Sequence, residues 1–422
     1  MHVTQYPRLG ERLFSCRLLN GLTVKIVPKP GFTRKIAYFV TDFGSIHTEF
    51  ELDGKKITAP AGIAHFLEHK MFELPQRDVS AEFAALGANV NAFTSYDMTA
   101  YFFSCTENFT QSLRLLLEFV STPYFPEESV KRELGIIDQE IGMNEDNPDT
   151  RIFENLTEKM YTRHPIRVPI LGTRESLREI TPQLLHDCHR AFYTPANMVL
   201  CVVGDVDEKE VIAIAEDVLG KEERPAGKKL RSWQEQMCCD STPATLSMEV
   251  AMPQFLLGFK CENYDHGEKA IRQEVIGDLA AEVLFGESST LYLSLYEKGL
   301  IDASFGGGYE TVDGCALLSC GGDSEDGDAV KGAILSWAEE IVRQGIDHHD
   351  FLRMKRSALG HRIRDLDSFD STCFRLCAYH FSDFDYFRFP AVYADIQEQE
   401  VLDFLRTTVT QQRSAMSVIN PR

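Results

Sequence analysis

Pro60-Ala-Gly-Ile-Ala-His-Phe-Leu-Glu-His-Lys-Met-Phe72 contains the pentapeptide on which the reading of the whole chain turns, His65-Phe66-Leu67-Glu68-His69. After Gly62 the apolar residues Ile63, Phe66, Leu67 and Met71 recur at helical spacing. Positions four apart share one face of a helix, so His65 and His69 can present two imidazoles to one metal ion. Glu68 projects from the same side, as a general base beside the metal would. The order His-x-x-Glu-His reverses the commoner zinc motif His-Glu-x-x-His. A chain of this length meets the pattern by chance in roughly three cases per hundred. The competing reading is a helix with two surface histidines and an unrelated glutamate, and a third ligand must come from elsewhere.

A second helix offers one. Across Glu127 to Met143, Val130, Leu134, Ile137 and Ile141 mark a buried face. Glu133 and Glu140 stand two helical turns apart and share a face. A hydrolytic zinc site takes three protein ligands and keeps one position open. His65, His69 and Glu140 would make that set, with Glu133 as a carboxylate steadying the ligands. A solvated acidic face would have the same spacing, and spacing alone does not separate the two.

Taken together, these motifs resemble the pitrilysin/insulinase/mitochondrial processing peptidase family of zinc metallopeptidases. The family has His-x-x-Glu-His followed by a Glu-x6-Glu helix, here Glu133 and Glu140. Between them it has a strand similar to Gly87-Ala-Asn-Val-Asn-Ala-Phe-Thr-Ser95 and a Thr-x-Tyr like Thr99-Ala-Tyr101. Asn20-Gly21-Leu22, His164-Pro165, Tyr193-Thr-Pro-Ala-Asn-Met198 and Cys-Val-Val-Gly-Asp205 extend the likeness along nearly the whole chain. The resemblance implies an α+β fold of two tandem homologous domains, each a largely antiparallel sheet covered by helices. It implies one Zn2+ per chain on His65, His69 and Glu140, with Glu68 as the catalytic base in peptide hydrolysis. The edge of the strand carrying Ala88, Asn89, Asn91, Ala92, Phe93 and Thr94 would bind an extended peptide substrate through its backbone. Two subunits would close over a chamber, so substrates must be short or unfolded.

One segment departs from the family. Many single-gene members carry an Arg and, seven residues on, a Tyr that hold the substrate backbone. The matching Leu295-Tyr-Glu-Lys-Gly-Leu-Ile-Asp302 has Tyr296 and Asp302 there, and is one residue shorter. Gly286-Glu-Ser-Ser-Thr-Leu-Tyr292 and Gly299-Leu-Ile-Asp-Ala-Ser-Phe305 instead resemble the bacterial branch that works as a two-gene pair. The expected partner is therefore a homologous subunit supplying the Arg/Tyr pair, or a second copy of this chain. The reading from another class is a non-catalytic scaffold or assembly subunit of the same fold.

The remaining sequence sets the frame. The 422 residues are 44% hydrophobic and 25% charged, as expected of a soluble globular protein with room for two or three domains. We place an N-terminal zinc-bearing domain at 1–220, a linker at 221–245 and a C-terminal domain without the metal motif at 246–422. The linker reading rests on Lys221-Glu-Glu-Arg-Pro-Ala-Gly-Lys-Lys-Leu-Arg231, which is charged and contains Pro and Gly. The net charge of −21 argues against nucleic acid and anionic membrane surfaces as partners. No apolar run reaches the length of a membrane span. The first residues show neither a signal peptide nor an Arg-rich presequence, and the expected location is cytoplasmic. The eleven cysteines form no disulfide framework, and most of them read as buried reduced thiols. His186-Asp-Cys-His189 is a second metal candidate, weighed against an ordinary amphipathic helix. Glu49 to Lys56 reads as a charged loop leading to the motif.

Overall fold

The computed structural model describes residues 2–231, 233–240, 242–264 and 266–422. Residues 232 and 241 of the expected linker lie outside that set. Two compact units are present, one comprising Met1–Ile141, Pro169–Ser232 and Ile363–Phe387, the other Gly142–Val168, Trp233–Arg362 and Arg388–Arg422.

In the first unit, an Asn-Gly turn joins Glu11–Arg17 to Thr23–Pro28 as an antiparallel pair. These belong to a seven-stranded sheet. Its order is His2–Tyr6, Glu11–Arg17, Thr23–Pro28, Met198–Gly204, Lys35–Thr41, Thr99–Cys105 and Asn89–Thr94. Met198–Gly204 is buried along its full length, which is why its sequence is an uninterrupted apolar run. Its alternate residues serve two layers. Leu200 and Val202 join the large core with Phe39, Tyr101, Phe103 and the helix Ile63–Met71. Cys201, paired with Tyr38, faces the helix Phe369–Phe381, where Cys373 donates to the Cys201 carbonyl.

The second unit repeats the plan with five strands in the order Ala244–Met248, Ser414–Pro421, Gln254–Cys261, Cys315–Asp323 and Gly306–Val312. Each sheet holds one parallel pair, Thr23–Pro28 with Met198–Gly204 and Ala244–Met248 with Ser414–Pro421, followed by antiparallel pairs; in the first sheet two antiparallel strands also precede it. The strand correspondence, Thr23–Pro28 with Ala244–Met248 and so on to Asn89–Thr94 with Gly306–Val312, makes the two units tandem repeats of one α+β fold. Helix Pro148–Met160 packs on Ser414–Pro421 and Gln254–Cys261. There Gly258 admits the helix closely, since a Cβ would stand 2.6 Å from the Met160 sulfur. Helix Phe369–Phe381 occupies the corresponding place on the first sheet. Each unit therefore takes one helix from the other half of the sequence.

The charged stretch before the motif is not a loop. Glu49–Leu52 and Lys55–Thr58 form a hairpin, and Lys228–Lys229 adds a third strand. Its signal is Asp53-Gly54, which takes φ of 51° and 75° as a tight hairpin turn requires. Alternation does the rest, because Phe50 and Leu52 are buried while charged residues face water.

Candidate metal centre

Gly62 sets the start of the motif helix. It takes φ 88° at the N-cap, and a Cβ there would lie 2.3 Å from the Leu171 carbonyl oxygen. From it the helix Ile63–Met71 runs through the core with Ile63, Phe66, Leu67 and Met71 buried. His65 and Glu68 are buried too, and His69 is partly exposed. The surface-histidine reading therefore does not describe this helix.

The helix Glu127–Glu145 lies alongside and brings Glu133 and Glu140 to the histidines. Ligand atoms of His65, His69 and Glu140 all lie within 4.8 Å of one another, and among the described residues this is the one such group. The two Nε2 atoms face the Glu140 carboxylate at 3.6 Å (His65) and 3.5 Å (His69), beyond good hydrogen-bond length. Two ligands of one tetrahedral zinc stand about 3.3–3.6 Å apart, given bonds of about 2.0–2.2 Å. The Nδ1 of His69 meets Glu133 Oε1 at 3.0 Å. A carboxylate only accepts, so Nδ1 carries the proton and the Nε2 lone pair points at Glu140. The His69 lone pair and the Glu140 carboxylate thus converge on one point, with His65 Nε2 beside them, an arrangement that suits a cation. The donor set fits zinc.

Charges in the site follow the same geometry. Burial is the largest influence on Glu68 and pushes its carboxyl up, against the pull of His65, the Thr94 hydroxyl and His69. Thr94 Oγ1 donates to Glu68 Oε2 at 2.8 Å. Burial works against the charged form of His69, but the Glu133 bond and the charges of Glu68, Glu133 and Glu140 outweigh it and raise the pKa. His65 beside Glu140 holds that carboxyl below its usual range. Tyr101 and Tyr193, whose hydroxyls meet at 2.8 Å in the core, are raised by burial, with the Glu68 charge adding to both.

The six strand residues are placed unequally. Thr94 touches Glu68, and Ala92 shares its face of the strand. Phe93 turns to the other face, against Phe102 and Phe374, and exposed Asn89 and Asn91 share that side. Ala88 is buried and precedes the strand. Asn89–Thr94 is the last strand of its sheet. Ser95 N–H bonds the Met98 carbonyl, so the bonded pairs continue at Phe93 with Ala100 and Asn91 with Phe102. Thr94, Ala92 and Val90 then direct their peptide groups to the open edge. The Ala92 N–H is met there by the Asn91 side chain at 2.9 Å.

Sequence reading overlooked Lys70. Its Nζ is buried and donates to Glu73 and Ser129, with Glu133 Oε2 at 3.5 Å. The signal was present, since Lys70 follows Ile63, Phe66 and Leu67 at the i+7 position of the buried stripe. In the second unit, Tyr296 is exposed and stacks on Tyr292, while Asp302 accepts from the Ser304 backbone and hydroxyl.

The second candidate, His186-Asp-Cys-His189, does not converge. His186 lies against Phe125, Cys188 is buried, and His189 Nε2 donates to the Val120 carbonyl at 3.1 Å. Burial pushes His189 down to about 4, against the pull of that carbonyl. Between the ordinary value near 6.5 and about 4, the unfolded chain binds a proton that the folded chain refuses. Stability is therefore lost as pH falls through this window, by about 3 kcal/mol at most. His189→Gln is expected to reduce the fall in urea-unfolding free energy between about pH 7 and 4.5. An unchanged fall in the variant would exclude His189 as its source.

Comparison with known proteins adds the following. A family model described as Insulinase (Peptidase family M16) matches residues 57–174, and one described as Peptidase M16 inactive domain matches 179–358. The chain is 36% identical over 428 residues to YmfH, an uncharacterised zinc protease of Bacillus subtilis, with 99% of each chain covered. YmxG, another uncharacterised zinc protease of Bacillus subtilis, is 30% identical over 201 residues, 46% of each chain. The crystal structure of an M16-like peptidase from Alicyclobacillus acidocaldarius superposes with TM-score 0.93 at 33% identity, covering 98% of this chain and 99% of that one. Pitrilysin superposes with TM-score 0.79 at 18% identity, covering 98% of this chain and 45% of that one, which is a likeness of fold alone.

Proposed function

Since the chain belongs to the pitrilysin/insulinase family of peptidases, M16, we propose that it is a zinc-dependent endopeptidase of short or unfolded peptides and the metal-bearing subunit of a dimer. The observation that carries this reading is the convergence of His65, His69 and Glu140 on one point, with the Glu68 carboxylate beside it. Zinc bound to that set would polarise the scissile carbonyl and lower the pKa of water toward about 7.

The rest falls to the chain's own groups. Glu68 takes the proton of the attacking water and passes it to the leaving amine. Its burial, which raises its pKa, suits it to both steps near neutral pH. Thr94 holds one Glu68 oxygen and leaves the other for the proton. Glu133 fixes the His69 ring. The open edge of Asn89–Thr94 aligns an extended peptide through main-chain bonds, which demand little of its sequence. An incoming peptide displaces the Asn91 side chain from the Ala92 N–H.

The dimer part of the proposal rests on Tyr296 and Asp302, which stand where other members hold the substrate with Arg and Tyr. A homologous subunit carrying that pair, or a second copy of this chain, is the proposed partner. A cytoplasmic location belongs to the same proposal. It is supported by cysteines that are mostly buried and all free. Among the described residues no helix is long and apolar enough to cross a membrane.

The test is zinc content and cleavage of an unfolded peptide by the chain alone and mixed with an Arg/Tyr-bearing homologue. One zinc per chain, with cleavage at least about tenfold faster in the mixture, is the expected result. Full activity of the chain alone would refute the homologous Arg/Tyr-bearing partner, and full activity of its monomer would refute the divided site. Absence of both zinc and cleavage in every mixture would replace the enzyme by a scaffold subunit.

A further inference from the structure

We propose that Lys70 is a positioning residue for the metal centre, its ammonium group pinning one oxygen of Glu133 so that the other orients His69. The inference rests on the metal reading above and extends it to residues that touch no ligand atom of the metal.

A lysine buried in a helical core stripe is stable only when its charge is met. Lys70, 1% exposed, is met by Glu73 and by Ser129 and Glu133 of the neighbouring helix. Ser129, Glu133 and Glu140 follow one another at i, i+4 and i+11, so they share one face of that helix. The same face that brings Glu140 to the histidines therefore also grips Lys70. Ser129, held by Lys70, passes its own hydrogen to Glu73. Arg132 stands 3.5 Å from the other Glu73 oxygen.

The geometry gives this cluster work beyond holding two helices together. Glu133 has two oxygens with different duties. Oε1 takes the His69 Nδ1 proton at 3.0 Å, and Oε2 faces Lys70 at 3.5 Å. A carboxylate anchored at one oxygen can rotate, whereas one anchored at both holds its plane. That plane decides the rotation of the His69 ring, and hence where Nε2 points. His65 has no such support, since its buried Nδ1 meets no hydrogen-bond partner among the described residues. The precision of the centre thus depends on the side of His69.

The experiment measures zinc affinity by chelator competition for wild type, Lys70→Met, Glu133→Gln and the double variant, with melting of the metal-free proteins alongside. Lys70→Met is expected to weaken zinc binding about 10- to 100-fold, as loss of support behind a metal ligand typically does. In the Glu133→Gln background the same substitution is expected to change affinity less than about threefold, because Lys70 acts through Glu133. A purely structural lysine would lower the melting temperature and leave affinity unchanged, or its loss would multiply with that of Glu133→Gln. Either result would overturn the proposal. Should Lys70→Met fail to fold, Ser129→Ala removes one arm of the clamp. Weaker zinc binding in it supports the proposal and wild-type affinity overturns it. A wild-type protein that takes up no zinc would overturn the metal centre itself, and the clamp with it.

Discussion

Glu68→Gln is expected to keep one zinc per chain while peptide hydrolysis falls by about a hundred- to ten-thousand-fold, the usual contribution of a positioned general base. The substitution preserves shape. The new amide oxygen still accepts from the Thr94 hydroxyl, which stands 2.8 Å from the present carboxylate. The amide cannot take a proton from water at neutral pH. Burial is the main reason that the Glu68 carboxyl is raised, so replacing the charge with a neutral group relieves desolvation, and folding is not compromised. Zinc content, melting temperature and cleavage of an unfolded peptide, measured on the same preparation, check this outcome. A variant that cleaves at more than about a tenth of the wild-type rate would remove Glu68 from the base role.

His65→Ala is expected to abolish metal binding. Structural zinc is bound with about 10–16 kcal/mol, so one of three protein ligands is worth about 3 kcal/mol or more, at least about a hundredfold in affinity. The variant should lose both stoichiometric zinc and cleavage. The fold should persist, because among the described residues the His65 Nδ1 has no partner to orphan and alanine suits a helix interior. Adding zinc back to chelator-treated wild type should restore cleavage, and adding it to the variant should not. Undiminished zinc in the variant would take His65 out of the site. The contrast between the two substitutions is informative, since one separates chemistry from binding and the other abolishes both.

Much of this is legible in the sequence. The i, i+4 spacing of His65 and His69 and the two-turn spacing of Glu133 and Glu140 are consequences of 3.6 residues per turn, which local sequence dictates. The hairpin at Asn20-Gly21 and the buried strand Met198–Gly204 were legible for similar reasons, one from turn chemistry and one from its apolar run. The hairpin at Asp53-Gly54 carries the same kind of turn signal, masked in a reading for loops because its outward residues are charged. Within Ala88 to Thr94 the sequence named a strand, but not which side chains meet Glu68. That depended on the register with Thr99–Cys105 and on the side from which the motif helix approaches.

Sequence by itself determined the local periodicities: which residues share a helical face, where strands alternate, and where the chain can turn. These depend on neighbours within a few residues, so a single chain displays them. Tertiary structure alone decided which faces meet. An amphipathic pattern states that helix Pro148–Met160 or helix Phe369–Phe381 has a side to bury, and it is silent on which sheet receives it. Each packs in the unit built mainly from the other half of the sequence. The same holds at the centre. Lys70 reads as an anomaly in an apolar stripe until the helix Glu127–Glu145 is laid against it, and only then do Ser129 and Glu133 become its partners. Contacts between residues distant in sequence are set by packing, and packing is a property of the whole fold.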